Sequence, residues 1–178
     1  YENTEGDGSA WTASSITTLA DGTRFVYAAD MDGDNDLDVL SASFFDDKIA
    51  WYENTDGQGS FGTQQVITTS ADATQLVNAA DYDNDGDMDA LSATGTYLNW
   101  YENMFGNAKS WTIHTIAIDE AFFAYSTDLD SDGDLDILSG RQDQDILSWY
   151  ENLSANQALQ YSLNVIISGN GTVGLAPT

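Results

Sequence analysis

Short hydrophobic segments, separated by clusters of Gly, Asp, Asn and Ser, run along most of the chain. In the first full unit they lie at 24–29, 37–43, 48–54 and 61–68. The segment 37–43 is apolar on both faces, which predicts a central strand, whereas alternating polar and apolar positions predict half-buried strands. No helical periodicity of useful length is present. The pattern therefore predicts an all-β fold built from units of four short antiparallel strands.

A W-Y-E-N motif marks the same point in successive units, beginning at Trp51, Trp100 and Trp149. The chain opens on a copy that lacks its Trp, and the Tyr positions recur at intervals of 51, 49 and 49 residues. Repeats of this length are typical of propeller blades or solenoid units, because one unit cannot bury its own apolar face. Three repeats are predicted within residues 1–153, with approximate bounds 1–51, 52–100 and 101–152.

The first and the last predicted units contain different sets of strands. A spare fourth strand is predicted at 11–19, and the last unit ends after its third strand, at Asn152. Closed rings generally need about four to eight blades, so three repeats predict a partial propeller or one completed by association of copies through unpaired strand edges. Residues 154–178 are predicted to be a linker at 154–160 and a strand-like tail, which either begins another domain or pairs with an exposed sheet edge, such as that of a neighbour.

A second motif, D-x-D-x-D-[G/N]-D-[L/M]-D, recurs between the first two predicted strands of each unit. Five carboxylates within nine residues repel one another, and a folded chain tolerates them when a cation neutralises them. Hard oxygen ligands at alternate positions of a tight turn suit Ca²⁺, with about one ion per repeat. Position six then needs a positive φ, which Gly86 and Gly133 adopt freely and Asn35 tolerates.

We predict carboxylate ligands at positions one, three, five and nine, and a carbonyl ligand at position seven. An EF-hand would need Glu at position twelve and a following helix, but a strand pattern follows here. Two alternatives are an acidic surface turn without metal, and Mg²⁺ or Mn²⁺ in place of Ca²⁺. The predicted metal-site residues are Asp30, Asp32, Asp34, Asp36, Asp38, Asp81, Asp83, Asp85, Asp87, Asp89, Asp128, Asp130, Asp132, Asp134 and Asp136.

Together, D-x-D-x-D-G-D-L-D-[V/I]-L and W-Y-E-N resemble the FG-GAP/VCBS repeat of integrin-α-like β-propellers, over residues 1–152. The resemblance implies that the Asp-rich segment joins the first two strands of a blade and binds Ca²⁺. It also implies membership of a group that includes adhesion receptors, integrin-like lectins and propeller domains attached to secreted enzymes.

The net charge and the small number of basic residues argue against some classes of binding partner. The chain has 178 residues and a formal net charge of -26, and half of its 30 acidic residues lie in the three Asp-rich segments. Three Ca²⁺ ions would bring the net charge to about -20. With four basic residues, such a chain repels nucleic acids and anionic membranes, so we expect neither nucleic-acid binding nor membrane insertion. It contains no cysteine, so disulfides do not stabilise it.

Few residues outside the Asp-rich segments suggest a binding or catalytic role. Trp51, Trp100 and Trp149 are candidate sugar-stacking platforms, but aromatic residues on a third strand more often pack one blade against the next. His114 is the single histidine and shows no catalytic partner pattern. Nucleophile motifs and phosphate loops are absent from the sequence, so we expect no enzyme activity.

These observations predict a secreted or cell-surface module in which Ca²⁺ is structural. Its expected function is adhesion, self-assembly or carbohydrate recognition, and its expected partners are other copies, neighbouring blades or glycans. The alternative is a non-catalytic accessory domain of a larger secreted polysaccharide-active enzyme.

Overall fold

The computed structural model describes residues 1–118, 121–141 and 145–153, together with the backbone of three short strands between 161 and 174. All regular secondary structure in these residues is β, as the sequence predicts. A two-stranded sheet comes first, in which β1 (Glu2–Asn3) pairs with β2 (Trp11–Thr12).

Three four-stranded antiparallel sheets follow, and within each sheet the strands are hydrogen-bonded in chain order. We term them blades 1, 2 and 3. Blade 1 contains β3 (Thr23–Ala29), β4 (Asp38–Ser43), β5 (Lys48–Tyr52) and β6 (Gln65–Thr68). Blade 2 contains β7 (Leu76–Ala80), β8 (Asp89–Ala93), β9 (Tyr97–Asn103) and β10 (Trp111–Ile118). Blade 3 contains β11 (Phe123–Thr127), β12 (Asp136–Arg141), β13 (Ile146–Asn152) and β14 (Tyr161–Leu163). A hairpin of β15 (Ile166–Ser168) and β16 (Thr172–Gly174) comes last.

The fourth strands depart from the sequence prediction. The predicted strand at 11–19 is reduced to Trp11–Thr12, because its partner β1 is only two residues long. In blade 1, Phe61 forms an isolated bridge with Asn54, and the regular strand begins at Gln65. Between them, Gly62 donates its N–H to the carbonyl of Glu53, but residues 62–64 form no regular strand.

Blade 3 was predicted to lack a fourth strand, and this prediction is wrong. Tyr161–Leu163 pairs with Tyr150–Asn152 of the same chain, so the strand-like tail occupies the open edge of β13. An exposed strand edge presents unpaired N–H and C=O groups, and an alternating segment nearby in the chain can satisfy them. The linker at 154–160 and the turn at 169–171 lie outside the described residues.

The core lies between the blades. Successive side chains of a strand point to opposite faces, so the Trp and Tyr of each W-Y-E-N motif face different neighbours. In one buried cluster, Trp51 and Leu40 of blade 1 join Tyr101 and Val77 of blade 2. In a second cluster, Trp100 of blade 2 joins residues of blade 3 that include Tyr150. The Trp faces of blades 1 and 2 therefore pack on the Tyr faces of blades 2 and 3, respectively.

Among the described residues, no helix has the length and apolar character needed to cross a membrane.

Candidate metal centres

The three Asp-rich segments connect the first and second strands of each blade. We term them loop 1 (30–38), loop 2 (81–89) and loop 3 (128–136), numbering the positions within each from one to nine. In each loop, three aspartates place carboxylate oxygens within 4.8 Å of one another, a spacing that can hold a metal ion. These triads are Asp30, Asp32 and Asp38; Asp81, Asp83 and Asp85; and Asp128, Asp130 and Asp132.

The loop backbone turns at two left-handed residues. Position six has a positive φ in every copy, at 72° in Asn35, 96° in Gly86 and 103° in Gly133, as the sequence predicts. Position four is also left-handed, which the sequence analysis missed. The residue types gave a signal, because Gly and Asn, which occupy this position in loops 1 and 2, adopt positive φ more readily than most residues.

The carboxylate at position one organises this turn. Asp30 accepts the backbone N–H groups of Gly33, Asp34 and Asn35 at 2.9–3.1 Å. The equivalent carboxylate of Asp81 accepts N–H bonds from positions five and six of its own loop. Position one therefore holds the backbone in a curve that turns the following aspartates toward a common centre.

Position nine has a different role, because it is the first residue of the second strand. One oxygen of Asp38 accepts the N–H of Met31 at 2.9 Å, and the other accepts the N–H of Asn54 at 2.8 Å. Both other loops repeat the arrangement. This carboxylate joins position two of its loop to the Asn of W-Y-E-N. In loop 1 it also belongs to the triad, whereas position five takes that place in loops 2 and 3.

Position seven faces the turn that follows the third strand. The carboxylate of Asp36 lies against the Cα of Gly57, and that of Asp87 lies against Gly106. Both glycines have a positive φ, and a Cβ on either one would collide with the neighbouring carboxylate. In loop 3, Asp134 is buried, and one of its carboxylate oxygens has no hydrogen-bond partner among the described residues.

Burial makes several of these charges unfavourable. It raises the pKa of Asp89 to about 7, against the backbone N–H bonds from Asn103 and Tyr82 that lower it. Burial, followed by the negative charge of Asp132, raises the pKa of Asp134 to about 6. Loss of solvation is also the main reason why the pKa of five other loop aspartates, at positions three, seven or nine, lies above its usual range; they are Asp32, Asp38, Asp83, Asp87 and Asp130.

The loops fit a divalent cation on three grounds. Their donors are carboxylate oxygens, which are hard ligands of the kind that Ca²⁺ prefers. Within the described residues, one oxygen of Asp32 is buried and has no hydrogen-bond partner. The basic side chains of Lys48 and Arg24 have partners elsewhere: Lys48 pairs with Asp46 at 2.8 Å, and Arg24 lies over the ring of Phe44.

Residues 30–92, from the start of loop 1 to β8, match the family model of the FG-GAP-like repeat. The chain contains an FG-GAP-like repeat. This confirms the resemblance seen in the sequence, and it agrees with the four-stranded blades of a β-propeller-type module. No curated protein matches the chain in a sequence comparison.

The role of the Asn in each W-Y-E-N motif was not predicted from the sequence. Asn54, Asn103 and Asn152 donate their backbone N–H to position nine of the loop in their own blade, which lies 16, 14 and 16 residues earlier. The side-chain amides of Asn103 and Asn152 also reach the preceding blade, where they bond the position-two carbonyls of Met31 and Tyr82. The regular recurrence of Asn was the available signal.

The tryptophans of the motif pack between blades. Trp51 and Trp100 are each 1% exposed, so neither ring face is open to a sugar, and a stacking role for these two is incompatible with this packing. Trp149 is half-buried.

His114 lies directly opposite Trp100 and stacks on its ring, with centroids 4.3 Å apart. Its Nε2 lies 2.8 Å from a carboxylate oxygen of Glu102, a pair that the sequence pattern did not indicate.

Proposed function

We propose that the chain is a calcium-binding, β-propeller-type module of an extracellular protein, and that it functions in adhesion or assembly without catalysing a reaction. The observation that carries the proposal is the threefold repetition of a cluster of three carboxylates at the same point of each blade. An acidic turn on the surface would not need two left-handed residues to gather its carboxylates.

The triads would hold one Ca²⁺ in each loop, with Asp32, Asp83 and Asp130 as the shared position-three ligands. The ion supplies positive charge to carboxylates whose ionised form burial disfavours. Position one shapes the backbone around the site, and position nine ties the loop to the end of the third strand. Metal binding would thus contribute to the free energy of folding.

An extracellular setting is supported by ion availability, since calcium loops of modest affinity fill where Ca²⁺ is millimolar. Adhesion through protein contacts is favoured over carbohydrate stacking, because Trp51 and Trp100 are enclosed between blades. Blade 3 provides a surface for such contacts: Phe123, Tyr125 and Leu147 are exposed on strands β11 and β13.

The test compares thermal unfolding of the full chain in Ca²⁺, in Mg²⁺ and in excess EGTA. We expect the melting temperature to fall in EGTA and to be restored by Ca²⁺ more fully than by Mg²⁺. Asp83→Asn should reduce the Ca²⁺-induced gain by about a third, if the three loops contribute equally.

The matched control is Asp72→Asn, which removes the same charge from an exposed aspartate outside the loops and should leave the gain unchanged. Equal melting temperatures in Ca²⁺ and EGTA would contradict the proposal.

A further inference from the structure

A continuous path of hydrogen bonds crosses all three blades through the Asp loops. It starts at Asp38, which accepts the N–H of Met31 at 2.9 Å. The carbonyl of Met31 accepts the side-chain amide of Asn103 at 3.0 Å, and the backbone N–H of Asn103 bonds Asp89 at 2.8 Å. Loops 1 and 2 are therefore joined through one residue.

The same three bonds recur between loops 2 and 3. The second oxygen of Asp89 accepts the N–H of Tyr82 at 3.1 Å, and the carbonyl of Tyr82 accepts the amide of Asn152 at 3.1 Å. Asn152 then bonds Asp136 at 2.9 Å, and Asp136 bonds the N–H of Leu129 at 3.0 Å. We term this path the Asp–Asn relay; its members are Asp38, Met31, Asn103, Asp89, Tyr82, Asn152, Asp136 and Leu129.

Asn103 is fully buried, and all of its polar groups are bonded. Its amide donates to Met31 of loop 1 and to Met88 of loop 2, while its carbonyl oxygen accepts the N–H of Ala108. A buried amide held on every side transmits a shift of one partner to the others, because leaving any of these groups unbonded is costly.

We infer that the relay couples the loops, so that a cation in one loop raises the affinity of the next. This rests on the proposed calcium function. Position two lies between the ligands at positions one and three, so a cation that orders loop 1 also fixes the carbonyl of Met31. That carbonyl positions Asn103, which in turn holds Asp89 and the backbone of loop 2.

The chain contains its own control. Asn54 makes the same bonds within blade 1, to Asp38, to the carbonyl of Leu37 and from Gly59. Within the described part of the chain, however, its amide bonds no preceding Asp loop. Asn54→Leu therefore removes the two side-chain bonds inside blade 1, to Leu37 and from Gly59, and it leaves the backbone N–H bond to Asp38 and the connection between loops intact.

The experiment measures Ca²⁺ binding by calorimetry in full-length chains whose loop 3 is inactivated by Asp130→Asn. Chains in which loops 1 and 2 can both bind Ca²⁺ are compared with two variants that retain one binding loop each. Asp32→Asn inactivates loop 1, and Asp83→Asn inactivates loop 2. We expect Ca²⁺ in loop 1 to raise the Ca²⁺ affinity of loop 2 by about five- to tenfold, a factor that corresponds to the net free energy of one buried hydrogen bond. Ca²⁺ in loop 2 should raise the affinity of loop 1 by the same factor.

Asn103→Leu should reduce this factor to about one, whereas Asn54→Leu should leave it unchanged. Should Asn103→Leu fail to fold, Asn152→Leu provides the same comparison between loops 2 and 3, with loop 1 inactivated instead.

Amide exchange gives a second readout. In a chain where only loop 2 can bind Ca²⁺, adding Ca²⁺ should slow hydrogen exchange of the Met31 backbone N–H. The same addition should have no effect on Met31 in a chain that also carries Asn103→Leu.

Independent binding by both loops in the chain that retains Asn103 would overturn the coupling while leaving the calcium function in place. An equal loss of coupling in Asn54→Leu and Asn103→Leu would also overturn it. Absence of Ca²⁺ binding at every loop would instead refute the proposed function itself, so the two failures are distinguishable.

Discussion

The same residue type has different roles at different positions of one loop. Asp30 at position one accepts three backbone N–H groups, and Asp38 at position nine ties the loop to Asn54. Asp36 at position seven instead lies against the turn at Gly57. Asp32 keeps one buried oxygen without a hydrogen-bond partner among the described residues, and position three belongs to all three triads, which makes it a candidate ligand in every loop.

The buried carboxylate of Asp89 predicts how the stability of the metal-free protein depends on pH. Its pKa is about 7 in the folded chain, against 3.8 for the unperturbed side chain, so the folded state binds the proton more tightly than the unfolded state does. The unfolding free energy of the protein in EGTA should therefore fall as pH rises from about 4 to 7. Asp134, whose pKa is raised to about 6, acts in the same direction.

Thermal unfolding in EGTA between pH 5 and pH 8 checks this prediction, with a higher melting temperature expected at pH 5. Saturating Ca²⁺ is the control. Protons then compete with the cation for the carboxylates, so the melting temperature should no longer be higher at pH 5 than at pH 8. A melting temperature in EGTA that falls steadily between pH 8 and pH 5 would contradict the prediction.

At the scale of elements, loop 1 is packed between its own blade and blade 2. The carbonyl of Gly106, in the turn between β9 and β10 of blade 2, approaches Gly33 of loop 1, and a cavity of about 140 Å³ separates loops 1 and 2. The triad of loop 3 is more exposed than those of loops 1 and 2. We therefore expect loop 3 to bind its cation more weakly than loops 1 and 2.

The contact between Asp87 and Gly106 gives a prediction at this scale. Gly106→Ala places a side chain at a positive φ and against the Asp87 carboxylate, which must rotate aside, so it should cost about 1 kcal/mol more unfolding free energy than a positive φ alone. Gly59→Ala is the matched control: its φ is also positive, but the space around it is open, so only about 1 kcal/mol is expected.

Chemical denaturation of both variants and of the double variant Asp87→Ala/Gly106→Ala distinguishes two costs. One is the backbone strain of a positive φ, and the other is the collision of the new Cβ with the Asp87 carboxylate. The double variant should recover the cost of the collision, measured against Asp87→Ala alone. Equal costs for Gly106→Ala and Gly59→Ala would contradict the prediction that displacing the carboxylate is unfavourable.

At the scale of the molecule, charge opposes the packing that holds the blades together. The interblade clusters around Trp51 and Trp100 bury large aromatic surfaces, while a formal net charge of -26 favours expansion. At 0.1 M salt, repulsion between exposed charges that lie more than about 10 Å apart is largely screened.

We accordingly expect the melting temperature of the metal-free chain to rise as NaCl increases from 10 mM to 500 mM. The rise should be smaller in Ca²⁺, since bound cations already neutralise part of the loop charge. The same NaCl series recorded in EGTA and in Ca²⁺ provides the comparison, and a metal-free melting temperature that does not respond to salt would refute this expectation.

Much of the architecture could be predicted from the sequence, because it depends on local rules that repeat. Alternation and turn residues predicted strands such as Thr23–Ala29 and Lys48–Tyr52 to within a few residues. The spacing of the motifs predicted the three units, and Gly86 and Gly133 indicated where a positive φ was required. These features need only the chemistry of residues close together in the chain.

The tertiary structure alone decided which groups meet across long separations. No local pattern shows that Asp89 accepts the N–H of Asn103, 14 residues later in the chain, and none shows that Asn103 reaches Met31 in the preceding blade. Pairing of Tyr161–Leu163 with β13 was likewise open, because a strand edge accepts any suitable segment in reach. The sequence by itself therefore determined the blades and their acidic loops, whereas the packing of one blade on the next determined how those loops are joined.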